Sequence, residues 1–443
     1  MHTKVLETRT ADQVAPLTHI EVAFPDHNEL TVQEYISEVQ GLDERLFSSL
    51  ERSQGRPLRV SLTSPNRIEL AVSASGKGSR KRLIAFDHLW STLLKSAPQW
   101  NELHLSMDAD QCQWVFDALC PQDEGQHSNV GLPIASNLVS LRVGQRGPSG
   151  RSPLSASFSG MPRQLWENVK VLELCESITE NMDDLLDLLA AFPSITTLVL
   201  GRSMKFWGPY EGRKQAFLPH LESVTFKGSP PLPGLHSALA VTAQSLRTFT
   251  FCDMTEECVQ ELNATRRVRF ITEHSKELKA WMKGIGSGLT ELTLSNNHIY
   301  PNGSWLLNCV KDHLLPNLVN LTLLGRCDTD LLLNMLAASR VCPNIERFVC
   351  VPDKYEDAFI TQASALNFMR VRLGVAEKEL GMRMLRYVHI GIRSERKAVD
   401  LRSALDISGK ADFQGATIKL SYIPPRAVTL TLDNNKKVHK DYN

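Results

Sequence analysis

What this sequence does without narrows its chemistry. Neither charge is in excess, since Lys plus Arg number 49 and Asp plus Glu number 49. No global field therefore steers the protein toward nucleic acid or an anionic membrane, and any polyanion site must be local. Long apolar runs are missing too. The greasiest stretch, Leu185 to Phe192, falls far short of the roughly 20 residues that cross a bilayer, so no membrane partner is expected. Met1 to Gln13 is polar and mixed in charge, without the apolar centre of a signal peptide, and no secretion is expected. The nine cysteines include no CxxC pair and have no histidine at finger-like spacing, so no metal site is expected. Cys252 and Cys350 lie in apolar strand-like runs, where a thiol behaves as a small hydrophobe, and this usage fits a reducing compartment. On that reading the sequons at Asn263, Asn302 and Asn320 are chance matches.

Familiar catalytic signatures are missing as well. The 13 histidines include none in an HExxH setting, and no serine sits in GxSxG. Gly76 to Arg82, GKGSRKR, has the glycines and lysine of a phosphate cradle. A Walker A loop, however, would need Gly at 71 and Ser or Thr at 78, where this chain has Ala71 and Gly78. The segment reads as a solvated loop between a strand over Arg67 to Ala74 and a helix near Leu89, with nuclear import or nucleic-acid contact as the alternatives. Gly284 to Gly288, GIGSG, precedes a strand, whereas a dinucleotide fingerprint follows one, so a turn is expected. No enzyme and no cofactor are predicted.

What is present is a repeat. The phrase LxxLxL, with any apolar residue in its three slots, occurs at Leu138/Leu141/Val143, Val169/Leu172/Leu174, Ile195/Leu198/Leu200, Leu221/Val224/Phe226 and Leu246/Phe249/Phe251. It continues at Leu289/Leu292/Leu294, Leu318/Leu321/Leu323 and Ile345/Phe348/Cys350. Trp100/Leu103/Leu105 and Leu385/Val388/Ile390 flank these in the same frame, giving ten candidate strands. First-slot spacings of 26, 26, 25, 29 and 27 residues fall in the roughly 20–29 range of leucine-rich repeats. The longer gaps, 43 residues after Leu246 and 40 after Ile345, are expected to hold a longer helix or a degenerate repeat, and Thr255 to Lys283 reads as a helix.

Proline stands two residues before the first slot at Pro98, Pro193, Pro219, Pro316 and Pro343. It ends a helix there, because proline disfavours helical geometry in the residue before it. Asn181 to Phe192, Trp305 to Leu315 and Asp328 to Val341 suit those helices. The predicted unit is strand, loop, helix, Pro, strand. Three buried side chains fall well short of the backbone entropy of ordering about 25 residues, so one unit cannot fold alone. The fold class predicted is an α/β leucine-rich-repeat solenoid, a horseshoe with a parallel concave sheet and outer helices. LTELTLSNNHI (Leu289 to Ile299) meets the full phrase, with Asn297 where an amide joins neighbouring turns.

RSQGRPLRVSL (Arg52 to Leu62), SAPQWNELHL (Ser96 to Leu105) and THIEV (Thr18 to Val22), with the Pro-x-apolar repeats, resemble the fungal F-box and leucine-rich-repeat family over roughly residues 15 to 395. In that family an N-terminal F-box docks on the Skp adaptor of a cullin-type ubiquitin ligase while the repeats hold the protein to be ubiquitylated. The resemblance implies a non-catalytic substrate-receptor-like scaffold. This chain departs from the family before Leu17, where no Leu-Pro-x-Glu opening occurs and a roughly 40-residue helical module has no room. A Skp or cullin contact is thus expected only if an F-box is encoded upstream. A stand-alone interaction protein, or less favoured a nucleic-acid-associated nuclear protein, is the alternative, in the cytoplasm or nucleus.

Strand side chains alternate across a sheet, so the residue between the second and third slots faces the hollow. That row, the expected protein-binding surface, is His104, Arg142, Glu173, Val199, Thr225, Thr250, Thr293, Thr322, Val349 and His389. Charge lies at its ends and Thr or Val in its middle, which suits a protein better than a phosphate backbone. Thr and Val also favour strands for their own sake. The expected division is an N-terminal region and cap at 1–95, the solenoid at 96–392, a C-terminal cap at 393–433 containing strand-like runs Thr417 to Ile423 and Ala427 to Leu432, and a disordered tail at 434–443.

Overall fold

The computed structural model describes residues 18–25, 30–64, 77–107, 109–119, 135–144, 166–175, 182–201, 215–227, 239–240, 245–252, 276, 278–295, 304–325, 329–338, 341–351, 360–375, 382–392, 396, 399–401, 403, 416–422, 429–432 and 438–441. Met1 to Gln13, the strand expected over Arg67 to Ala74, Asn297, the sequons at Asn263 and Asn302, and most of Thr255 to Lys283 lie outside them. Two compact units form, Met1–Leu221 with Ala238–Ala240, and Glu222–Ser237 with Val241–Asn443.

The first unit is α/β. Strands β1 (Thr18–Ala23), β2 (Leu58–Thr63), β3 (Trp100–Ser106), β4 (Ser140–Gly144), β5 (Val171–Cys175) and β6 (Thr197–Leu200) pair in parallel in chain order. Parallel neighbours require a return crossover, and helices supply it in several of the connections: α1 (Val32–Ser53), α2 (Lys77–Lys95), α3 (Ala109–Leu119) and α4 (Met182–Ala190). Helix α1 begins where its sequence dictates. The Thr31 hydroxyl accepts from the Glu34 N–H at 3.3 Å, while the Glu34 carboxylate accepts from the Thr31 N–H at 2.9 Å. Tyr35, Val39, Leu42 and Leu46 then recur at helical spacing and are buried.

Helix α2 corrects one expectation. Residues 77–82, read as part of a solvated loop, form its first turns. Arg82 donates to the Leu30 carbonyl at 2.8 Å and lies over the Tyr35 ring, so that side chain is engaged within the unit.

The second unit repeats the plan with β7 (Ser223–Lys227), β8 (Thr248–Cys252), β9 (Glu291–Ser295), β10 (Asn320–Leu324), β11 (Arg347–Val351), β12 (Tyr387–Ile392) and β13 (Thr417–Tyr422), all parallel in chain order. Its helices include residues 278–285, α5 (Ser304–Lys311), α6 (Thr329–Ala338) and α7 (Gln362–Arg370). The run expected to cap the sheet, Thr417 to Ile423, supplies β13 and joins the parallel ladder. The last residues, expected to lack structure, include a strand, Val438–Asp441, paired antiparallel with Thr429–Leu432.

All 30 residues of the ten apolar slot triplets are buried. The strand register aligns them, so that Leu292, Leu321 and Phe348 are neighbours and each is fully buried. Rings fill the space beneath the strands. Trp166 stands between Phe116 and Phe192 at centroid distances of 5.4 and 5.2 Å, and Phe249 meets Trp281 at 5.3 Å. Burial pushes the thiols of Cys309, Cys342 and Cys350 up to about 12, so they remain protonated and act as apolar filling.

The entry to many of the strands is a recurring tight turn. The first-slot N–H donates to the carbonyl three residues back, Leu138 to Ala135, Ile195 to Phe192, Leu318 to Leu315 and Ile345 to Cys342, at 3.1–3.5 Å. Pro193, Pro316 and Pro343 occupy the second turn position, where φ is fixed favourably and the N–H is not needed. Asparagine at the third position then ties neighbouring turns together. Asn137 Nδ2 donates to the Pro98 carbonyl at 2.7 Å and Asn168 to Ser136 at 2.8 Å. Asn317 donates to Ser287 at 2.7 Å and Asn344 to Pro316 at 3.0 Å. Replacing Asn317 with Ala is expected to cost about 1 kcal/mol by orphaning one such carbonyl. Urea unfolding of that variant checks it, and an unchanged midpoint contradicts the assignment.

Candidate functional site

The expected binding row forms within each unit. In the first, register pairs His104 with Arg142, Arg142 with Glu173 and Glu173 with Val199. In the second, Thr225, Thr250, Thr293, Thr322, Val349 and His389 follow one another on adjacent strands. Adjacent strands lie roughly 4.8 Å apart, so each row is a continuous line of side chains. Nine of the ten are exposed or half-buried, whereas Val349 is only 7% exposed and offers a partner little surface.

Three residues that slot counting did not select extend the rows. Register carries the first through Ser61 to Glu21, and the second from His389 to Lys419. A parallel line two residues earlier runs His19, Arg59, Glu102. Glu21 and Ser61 lie on strands marked in the sequence only by the family resemblance, since about 40 residues separate the two and a similar gap separates Ser61 from His104, whereas Lys419 follows His389 by 30 residues on a run that lacks the slot pattern.

On the first unit the charges interlock. Arg59 Nε is paired with Glu102 Oε2, and Arg142 Nε lies 3.5 Å from Glu173 Oε2. Such half-exposed pairs contribute at most about 1 kcal/mol each, so they orient side chains more than they stabilise the fold. His19 and His104 both titrate below the ordinary imidazole value. Burial is the larger cause for each, followed by Arg59 for His19 and Arg142 for His104, with Glu102 opposing. Both rings are therefore neutral at pH 7 and serve as hydrogen-bonding groups.

The pH consequence has a definite sign. A histidine whose folded value is depressed holds fewer protons than it does unfolded, so its stabilisation is present above about pH 6.5 and lost as pH falls below it. Melting temperature is expected to drop between pH 7 and pH 5, and by less in His104→Gln. An identical pH slope in the variant contradicts the account.

His19 Nε2 also lies 3.0 Å from Ser61 Oγ, the geometry of a base beside a hydroxyl. Acyl transfer further needs donors aimed at a developing oxyanion. Here the nearby backbone N–H groups of β1–β3 lie in the strand ladders. The arrangement is suited to hydrogen bonding with a ligand more than to nucleophilic attack.

On the second unit the row is uncharged from Thr225 to Val349 and then becomes basic. The Arg347 guanidinium lies 4.1 Å above the Tyr387 ring. Burial first, then Lys419 and Arg347, hold His389 below its ordinary value. Glu346 accepts Arg383 at 2.5 Å and Arg386 at 3.3 Å. Among the described residues no group of His, Cys, Asp and Glu could hold a metal ion, and no helix is long and apolar enough to cross a membrane. No protein-family model matches the chain, and no curated protein matches its sequence.

Proposed function

We propose that this chain is a non-catalytic interaction protein, each of its units a solenoid of the leucine-rich-repeat type whose open sheet face receives a protein partner. The observation that carries the reading is the division of the ten slot-bearing strands into two sets. Slot residues are apolar and buried, and the alternate residues, polar except Val199 and Val349 and accessible except Val349, form a line along the sheet of each unit. The recurring turn with its bridging asparagine supports the repeat reading, because at four junctions the same bond, from Asn137, Asn168, Asn317 and Asn344, ties one turn to the preceding one.

A sheet presented this way gives a rigid surface with little ordering cost on binding, which suits recognition. The finer proposal is a substrate-receptor-like role related to F-box receptors, resting on the resemblance of the N-terminal strands and the Pro-x-apolar turns. Under it a Skp adaptor contact belongs to an F-box encoded upstream. Without one, the same face serves a stand-alone interaction protein.

Quantitative affinity capture tests the reading. Thr250→Arg with Thr293→Arg is expected to lose at least tenfold of the partner captured by the intact chain, since two charges on a packed interface cost several kcal/mol. Lys311→Glu, at an exposed position at the end of α5, is expected to retain it. Equal capture by all three proteins would refute the sheet face as the binding surface.

A further inference from the structure

We propose that the face formed by β11–β13 binds an acidic peptide segment, with Arg347 and Lys419 as its carboxylate anchors. The inference rests on the reading of the sheet face as a partner surface and names the chemical class of that partner. Between Asn320 and Ser421, the outward positions of β10–β13 include Arg347, His389 and Lys419 and contain neither Asp nor Glu. In a protein with 49 basic and 49 acidic residues, four adjacent strands whose only charged outward side chains at pH 7 are Arg347 and Lys419 are a local departure from balance. Just beside them, Glu346 is already shared by Arg383 and Arg386, so it does not neutralise the strands.

The geometry prepares the site for carboxylates. The Arg347 guanidinium carbon lies 4.1 Å over the Tyr387 ring, a contact that restricts the side chain before a ligand arrives. Less rotamer entropy is then lost on forming a two-pronged bond to a carboxylate. Arg347 and Lys419 are both exposed and sit two strands apart, on either side of Tyr387 and His389. That separation, two strand spacings across and two residues along, is roughly 12 Å and matches acidic side chains about four residues apart on an extended peptide.

A nucleic-acid strand fits less well. It would need positive charge continuing along its track, and the row beyond Val349 holds Thr322, Thr293, Thr250 and Thr225 with Glu291 alongside Thr248 and Asn320. An uncharged line next to a basic end instead suits a peptide whose acidic part meets β11–β13 and whose neutral part crosses the threonines.

Fluorescence anisotropy of the full chain with labelled oligoglutamate and with oligothymidylate of equal charge decides the matter. Oligoglutamate is expected to bind with salt-dependent affinity and more tightly than oligothymidylate. Arg347→Glu with Lys419→Glu is expected to weaken it at least about tenfold, by converting two attractions to repulsions. Lys95→Glu with Lys311→Glu, equal in charge change and exposed on helices, is expected to leave it within twofold. All these sites are exposed, and unchanged melting temperatures verify that the variants fold.

Equal weakening by the two pairs, tighter oligothymidylate binding, or no oligoglutamate binding would each overturn the proposal. The two readings separate cleanly. Partner capture that depends on Thr250 and Thr293 alongside indifference to oligoglutamate refutes the acidic class alone, whereas capture that ignores both sets refutes the sheet-face reading itself.

Discussion

Leu321→Asp is expected to unfold the strands on either side of it, while Thr322→Lys, one residue along, leaves the fold intact. Leu321 is fully buried between Leu292 of β9 and Phe348 of β11 in register. The substitution removes that packing and places a carboxyl where water is excluded. Loss of a buried leucine side chain alone costs about 2–5 kcal/mol, and the unpaired polar group adds to it. Against a typical stability of roughly 5–15 kcal/mol this is a large fraction. Thr322 lies half-buried on the opposite face, where a lysine stem can lie along the sheet with its ammonium in water, at a cost within about 0.5 kcal/mol. Thermal melts of the two variants compare them directly. A similar loss in both would mean that the faces are assigned wrongly.

The second large effect is a reversal of sign between two glycines two residues apart. Gly286→Ala is expected to destabilise the second unit by about 1–3 kcal/mol or more, as overpacking against an immovable group does. A Cβ at 286 would overlap the Leu314 carbonyl oxygen and stand 2.6 Å from that of Met282, both backbone atoms. This is where the helix of residues 278–285 ends, closed by the Gly286 N–H donating to Met282 at 2.8 Å, and where the turn after α5 passes closest. Gly284 meets nothing within 4 Å and is helical, so Gly284→Ala is expected to stabilise by about 0.5–1 kcal/mol through helix propensity. Urea midpoints of the pair check the contrast. A fall in both, or a rise in both, contradicts the close approach at 286.

Much of this was legible because apolar period and proline punctuation act on the same segments. Leu318, Leu321 and Leu323 sit where Pro316 places them, and both signals occur together in segments that do not carry the full LxxLxLxxN phrase. The turn of GIGSG was read correctly, at Gly286–Gly288, but its function as a point of close backbone approach was not. The bridging asparagines stand immediately before the first slot at 137, 168, 317 and 344, a recurrence outside the leucine-rich phrase that ends at Asn297.

GKGSRKR misled for a physical reason. Its basic, glycine-bearing composition suits solvent, but Arg82 finds a carbonyl and an aromatic ring inside the unit, and that engagement fits its place in a helix. Thr417 to Tyr422 read as a cap because its spacing was irregular, although its register continues that of β12. The outward row was legible from alternation alone. Its charge pattern was only partly so, because Arg347, Tyr387 and Lys419 become neighbours through register and not through sequence distance. The identity of a partner leaves no comparable periodic trace, since outward positions are constrained mainly by solubility and strand propensity.

Carbene labelling of the free protein, read residue by residue along β8–β11, tests the division of each strand most directly. Label is expected on Thr250, Thr293 and Thr322 and absent from Phe249, Leu292, Leu321 and Phe348, a strict alternation. Label on Leu292 or Leu321 at the level found on their threonine neighbours would contradict the account.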